Sequence, residues 1–238
     1  MKLKFILRMA WRDWRSGELG LLLIALMVAV GTVTSVGLFV DRLQQALVGE
    51  SADFLAADRR ISSSRPIPDA FRDAALARDI ELADTMSFPS MVFGPEEQNQ
   101  LVGVKAVAAN YPLRGVVRVA AEPFGAGVVI DEVPPPGEVW LDGRLFPALG
   151  IDLGDTVEVG VARFKVTKVV VQEPDRGGSM FDLGPRLLMN IADVPATEVV
   201  QPGSRITYRL LLAGAESDLE ALKDELPLEP NYRWQGIR

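Results

Sequence analysis

LGLLLIALMVAVGTVTSVGLFV, residues 19–40, runs for 22 residues without an Asp, Glu, Lys, Arg, Asn or Gln. As a helix rising about 1.5 Å per residue it extends about 33 Å, enough to cross the ~30 Å hydrocarbon core of a bilayer. Gly31 and Gly37 lower helix propensity in water but are common in membrane helices. A buried core helix of this length would carry a polar face. A cleaved signal peptide has a shorter apolar region with a small-residue cleavage site close behind it. Here Phe39, Val40, Asp41 and Arg42 follow instead. A lipoprotein signal needs a cysteine, and the chain has none. The run is therefore read as a membrane-spanning anchor.

Upstream, Leu3, Ile6, Leu7, Ala10, Trp11 and Trp14 recur at spacings of three and four, with Lys4, Arg8, Arg12 and Arg15 on the other side. This pattern predicts an amphipathic helix over residues 1–18, lying at the interface with membrane lipid. It serves either as a plain positive flank or as a docking surface for a cytoplasmic partner. Met1 to Glu18 holds five basic and two acidic residues, net +3. The whole chain is −7, so residues 41–238 carry −10. Basic residues beside a span stay inside, which puts the N-terminus in the cytoplasm and the acidic bulk outside. Nucleic acid is excluded as a partner, because no basic patch is present to pair with phosphates. Within the span, Ala25 with Ala29 and Gly31 with Ser35 fall at small-xxx-small spacing, which suits helical neighbours.

Downstream, Val40, Leu43, Leu47 and Phe54 keep a helical stripe, so residues 41–57 are read as a stalk. A strand is expected at 59–63 and a helix at 69–78 with Phe71, Ala74, Ala75 and Leu76 inward. A strand pair is expected at 80–93 and 99–108 around the turn GPEEQ. Short strands follow at 116–121, 128–130 and 138–141, then a short helix within 142–149. The clearest hairpin is 156–161 with 164–171, where Val157, Val159 and Val161 alternate with Glu158 and Gly160. After a strand at 187–190, the α/β pattern returns with a strand at 205–212, a helix at 216–225 and a strand at 232–235. The fold class is α+β: one spanning helix extended into a stalk, an α/β layer built from residues 58–110 and 203–238, and a small β-rich part, 111–202, inserted into it.

The chemistry-bearing motifs of enzymes are missing. There is no Gly-Lys pair and so no P-loop. There is no G-x-S-x-G, and without histidine or cysteine no conventional hydrolase triad or nucleophile pair. The carboxylates are scattered rather than gathered in one ion-binding loop. No catalytic, cofactor or metal residue is assigned. EPDRGGSM, residues 173–180, reads as a polar, Gly-rich mobile loop around Gly177-Gly178, and Met180, Phe181 and Leu183 form an apolar cluster at its end. Core packing is the ordinary account of such a cluster; contact with a hydrophobic ligand or a neighbouring domain is the functional one.

Several stretches taken in order carry a resemblance: AWRDWRSGE (10–18), LVGVKA (101–106) with YPLRG (111–115), GEVWL (137–141), LGIDLGD (149–155), GPRLLM (184–189) and QPGSR (201–205). Together they resemble the N-terminal part of FtsX/MacB-type ABC transporter permeases, with the closer similarity to the YbbP-like branch. The resemblance implies a MacB-like periplasmic core with a porter-like α/β part and an inserted β part. It implies a non-catalytic permease subunit without cofactors in a bacterial inner membrane. Its expected partners are a cytoplasmic P-loop ATPase, a second permease copy or the other half of the same permease, and a periplasmic enzyme or adaptor. ATP-driven closure inside would be transmitted through stalk helices to the outer domain, acting on a hydrophobic or lipid-like substrate. Trp11, Arg12, Asp13 and Trp14 are then expected near the ATPase, and Met180 and Phe181 near substrate or partner. Members have several spans and this chain shows one, so the reading expects the N-terminal segment of a longer permease. The alternative is a membrane-anchored binding or adaptor module for an envelope enzyme. An anchored hydrolase is the weakest reading.

Overall fold

Helix α1 runs unbroken from Glu18 to Leu55, 38 residues. In the computed structural model, residues 18–96, 98–176, 184–201, 203–227 and 229–236 are described. The chain divides into two units, Met1–Gly49 and Glu50–Arg238. In the first, the Gly20–Val40 stretch of α1 is long and apolar enough to cross a membrane and buries none of its surface against protein. Its one hydroxyl with a recorded bond, Thr32 Oγ1, donates to the Val28 carbonyl at 2.8 Å. Such a bond within the helix satisfies the Thr32 hydroxyl without a partner from outside it.

The second unit begins with a four-stranded layer. Strand β1 (Arg59–Ser63), helix α2 (Asp69–Leu76) and strand β2 (Glu81–Phe93) form one strand–helix–strand unit. Strand β10 (Thr207–Ala213), helix α5 (Glu216–Glu225) and strand β11 (Tyr232–Gly236) form the second. The two interleave, in the order β11-β1-β10-β2. Each helix thus crosses over a strand of the other unit, which is the split β-α-β arrangement of ferredoxin-like folds. The helices cover one face, burying Ile61, Phe71, Ala75, Leu210, Leu212, Leu219 and Leu222. The Phe71 and Tyr232 rings pack 5.1 Å apart.

Between β2 and β10 the chain builds β3 (Asn99–Val107), β4 (Val117–Ala120), β5 (Val128–Ile130), β6 (Glu138–Asp142), helix α3 (Leu145–Leu149), β7 (Thr156–Val159), β8 (Ala162–Gln172), β9 (Arg186–Asn190), and helix α4 (Val194–Thr197). Strand β2 is long enough to change partners along one edge. Residues Glu81–Ser87 pair with β10, and Val92 and Phe93 pair with β7. Its other edge pairs with β3, and the ladder continues β3-β9-β6-β8-β7 back to β2. Six strands therefore close into a barrel. A closed barrel has no free edges, and its interior is filled by alternate side chains. Phe88, Val92, Val104, Leu141, Phe164 and Leu187 are among those that fill it, with Leu145 and Leu149 of α3. A second buried cluster, around Trp140, Leu188 and Leu211, lies on the opposite faces of β6, β9 and β10.

Two expectations are corrected. Leu76 is 60% exposed, while Phe71 and Ala75 are buried. At about 100° per residue, position 76 turns away from the 71/75 face. Val161 does not continue the strand: β7 ends at Val159, which pairs with Ala162. Gly160 and Val161 form the two-residue turn, with Gly160 at φ +62°. A positive φ at the first central position is what a tight hairpin turn asks of glycine. A Cβ at Gly160 would also lie 2.0 Å from the Thr197 carbonyl oxygen. That carbonyl instead accepts from the Val161 N–H at 3.1 Å. The short α4 and its 3₁₀ lead-in Ile191–Asp193 were not expected.

Candidate functional site

The chain enters the outer unit through Ala56, Ala57 and Asp58. Ala56 adopts φ +56° directly after α1 ends. Ala56 and Ala57 are fully buried within the Trp140 cluster. The Asp58 carboxylate takes both arms of Arg114, at 3.0 Å and 2.8 Å, and the Gly214 N–H at 3.1 Å. The Arg114 N–H in turn donates to the Ala56 carbonyl at 3.0 Å. A bidentate Arg–carboxylate pair fixes direction as well as distance. Residues 56–58, the start of the second unit's sheet, are thus held by the turn after β3 and by the end of β10. Gly236 at the end of β11 lies directly opposite Arg59, so the last described strand returns to this same end.

Arg114 belongs to the turn that follows β3, and the other end of that turn is Tyr111. The Tyr111–Pro112 bond is cis. The Tyr111 hydroxyl donates to Asp175 Oδ1 at 2.8 Å and accepts from the Lys105 ammonium at 2.6 Å. Lys105 also ion-pairs with Asp175, lies 3.4 Å from Glu173, and sits 4.4 Å over the Tyr111 ring. Arg186 Nε is 2.6 Å from Glu173 Oε1. Two cations and two carboxylates are thereby enclosed, Lys105 at 1% and Glu173 and Asp175 at 0% side-chain exposure. Charges buried this deeply persist only when paired. Close by, Asp142 holds Arg144 at 2.8 Å and Arg176 at 3.2 Å. Burial alone would raise the Asp142 pKa, but its bonds to Arg144 and the Arg176 charge together bring it below the ordinary value.

These groups come from β3 (Lys105), the turn after it (Tyr111, Arg114), the end of β8 (Glu173, Asp175, Arg176) and β9 (Arg186). LVGVKA, YPLRG and GPRLLM therefore meet in one place. A single lysine inside an otherwise apolar strand was the sequence signal for it, since such a charge demands a partner. The partners were not foreseeable, because they come from about 70 residues away.

Burial pushes the Tyr111 phenol well above its ordinary value of 10.0, and the Asp175 and Glu173 carboxylates add to this. A folded pKa above the unfolded one gives stability that is complete below about pH 10 and lost as pH rises through the folded value. Stability is thus expected to fall in alkali, with tyrosinate absorbance rising together with unfolding. Tyr111→Phe is expected to cost about 1 kcal/mol at neutral pH and to flatten that alkaline decline. The same decline in both proteins above pH 10 would exclude this origin.

Among the described residues, no three carboxylate, histidine or cysteine side chains converge as a metal site. Among the described residues, surface cavities include the following two. One, about 530 Å³, is lined by Met86, Ile191, Val194, Pro195, Val200 and Gln201, with Glu198. The other, about 340 Å³, is polar and lies at the far ends of β1 and β10 and the start of β11. Trp11, Arg12, Asp13 and Trp14, and Met180 and Phe181 with the Gly177-Gly178 loop, fall outside the described residues.

Comparison with known proteins matches residues 19–227 to the family described as MacB-like periplasmic core domain. The "Uncharacterized ABC transporter permease YbbP" of Escherichia coli K12 is 38% identical over 234 residues, which is 98% of this chain and 28% of YbbP. The chain therefore spans under a third of that relative's length. The periplasmic region of MacB from Actinobacillus actinomycetemcomitans superposes with a TM-score of 0.49 at 15% identity, covering 79% of this chain and 93% of that one. The extracellular domain of the noncanonic ABC-type transporter YknZ from Gram-positive bacteria gives 0.48 at 8% identity, covering 74% and 99%. With the family match extending over residues 19–227, most of its length, the chain belongs to the family of MacB-like periplasmic core domains.

Proposed function

We propose that this chain forms the membrane entry and outer domain of a non-catalytic permease subunit in a bacterial cytoplasmic membrane. In this reading its N-terminus is cytoplasmic and its acidic domain periplasmic. A cytoplasmic P-loop ATPase, bound near Trp11, Arg12, Asp13 and Trp14, drives motion that passes along residues 41–57 into the outer domain. A second permease copy, or the other half of the same permease, completes the moving pair. The porter-like part, 58–110 with 203–238, and the inserted part, 111–202, meet along β2, which pairs with β10 at one end and β7 at the other. Met180 and Phe181 are the proposed contacts for a hydrophobic or lipid-like substrate, or for a periplasmic partner, during export or extraction.

The observation that carries this reading is the seating of the helix end. Asp58, three residues after the helix ends, is tied to β10 and to the turn after β3 through Gly214 and Arg114, and Ala56 and Ala57 are fully buried. A simple tether needs no such fixation, whereas a helix that transmits force does. The test is co-purification in detergent of the intact membrane protein with its ATPase. Capture is expected, with at least a tenfold loss when Trp11, Arg12 and Trp14 are all changed to Ala. Asp58→Ala is expected to retain the ATPase, since that residue acts on the other side of the membrane. If no ATPase is captured, the anchored adaptor becomes the better account.

A further inference from the structure

The ferredoxin-like layer has one face without helices, and a row of arginines crosses it. Arg233 of β11 stands directly opposite Ser62 of β1, and Ser62 stands opposite Arg209 of β10. Directly paired residues in a sheet point to the same side. Their neighbours Ile61, Leu210, Tyr232 and Trp234 point to the other side, into the helix-covered core. Arg209 Nη1 donates to Ser87 Oγ at 2.8 Å. Among the described residues, neither Arg209 nor Arg233 has a carboxylate within ion-pair distance. Arg59, Arg72, Arg78, Arg114 and Arg144 each hold one. Arg209 and Arg233 thus stand on one face of the layer, separated by Ser62, in a region that carries −10 overall.

The polar cavity of about 340 Å³ opens at the end of this row. It is lined by Ser62, Ser63, Ser64, Thr207, Asn231 and Arg233, with Pro230, and none of these is acidic. Ser63 pairs with Tyr232 and so points to the helix-covered side, where its hydroxyl accepts from the Arg65 N–H at 3.0 Å; the hydroxyls of Ser62, Ser64 and Thr207, the Asn231 carboxamide and the Arg233 guanidinium remain on the face that opens into the cavity. A hydroxyl or amide serves an anion or a cation equally well, but the guanidinium has only donors, so the set selects an anion. The planar fork of arginine matches two oxygens of one phosphate group, and hydroxyls complete the remaining oxygens.

We infer that this cavity is a binding site for a phosphate group, with Arg233 as its charged anchor and Ser62, Ser64, Thr207 and Asn231 as donors. The inference does not rest on the transport reading, because it concerns direct binding to the chain itself. The phosphate has two possible sources, a lipid headgroup or a free phosphate monoester, and the same chemistry receives both.

The test is a ³¹P NMR titration of the full chain in an uncharged detergent. The two probes are glycerol 3-phosphate and dihexanoyl phosphatidic acid below its micelle concentration. Saturable binding with Kd about 1 mM is expected, weakened about tenfold by Arg233→Gln. Arg233→Lys should retain part of the affinity, since it keeps the charge but loses the fork. Asn231→Ala provides a second variant should the glutamine substitution disturb folding, which circular dichroism would reveal. Similar affinity for both probes assigns the site to a free phosphate group, and a lipid preference of tenfold or more assigns it to a headgroup. Absence of saturable binding to either probe, or equal affinity in wild type and both Arg233→Gln and Asn231→Ala, overturns the inference.

Discussion

Lys105→Met is expected to destabilise the outer domain by about 3–5 kcal/mol, because it leaves two buried carboxylates facing one cation. The ammonium is 1% exposed, so solvent screening offers no relief. Its contacts to Tyr111, Asp175 and Glu173 disappear together. For a protein of this size such a loss lowers the melting temperature by about 10 °C or more. The pairing itself is tested by the double variant Lys105→Met/Asp175→Asn. Removing both members of a buried pair costs less than removing one, so the double variant is expected to recover about 1–2 kcal/mol relative to Lys105→Met. Denaturant midpoints of the three proteins decide this. A single variant within about 0.5 kcal/mol of wild type would mean that the cluster is solvated in solution.

Trp140→Ala should be comparably damaging for a different reason. The indole is fully buried beside Ala57, Leu188 and Leu211, and Lys168 sits 4.8 Å over its ring. Deleting a buried aromatic of this size costs about 3–5 kcal/mol, through lost transfer energy and the cavity left behind. Because the same cluster buries Ala56 and Ala57, amide exchange at residues 56–58 should accelerate in this variant more than at the start of α5. Trp140→Phe fills much of the space and is expected to cost well under half as much. A loss below about 1 kcal/mol for the alanine variant would show that the site collapses to fill the gap.

Local order in this protein was legible from local sequence. The apolar run 19–40, the hairpin around Gly160, and the helix Glu216–Glu225 were each readable because periodicity and turn residues act over a few positions. What periodicity does not contain is partnership. The interleaving of the two strand–helix–strand units depends on registers between residues far apart in sequence, such as Arg59 with Leu212 and Glu81 with Ala213. Barrel closure rests on Val92 and Phe93 of β2 meeting Val159 and Glu158, and nothing in the pattern of β2 marks where it changes neighbour. The buried cluster was missed: Lys105 lies in the apolar run LVGVKAV, and its partners Glu173 and Asp175 read as ordinary loop residues. Leu76 was misplaced because a leucine beside two inward alanines invites burial, and only the helix angle decides against it.

Strand β2 has 13 residues and belongs to both the ferredoxin-like layer and the barrel. At about 3.3 Å per residue it is a beam roughly 40 Å long. Its first residue, Glu81, pairs with Ala213, one residue before the Gly214 that Asp58 grips, and its last, Phe93, reaches the barrel wall at β7. Hydrogen bonds on both edges keep such a beam from bending freely. A tilt of about 5° at the near end would carry the far end through about 3–4 Å, the scale on which packed interfaces change partners. A lever of this kind gains displacement without any residue at the fulcrum having to leave its contacts.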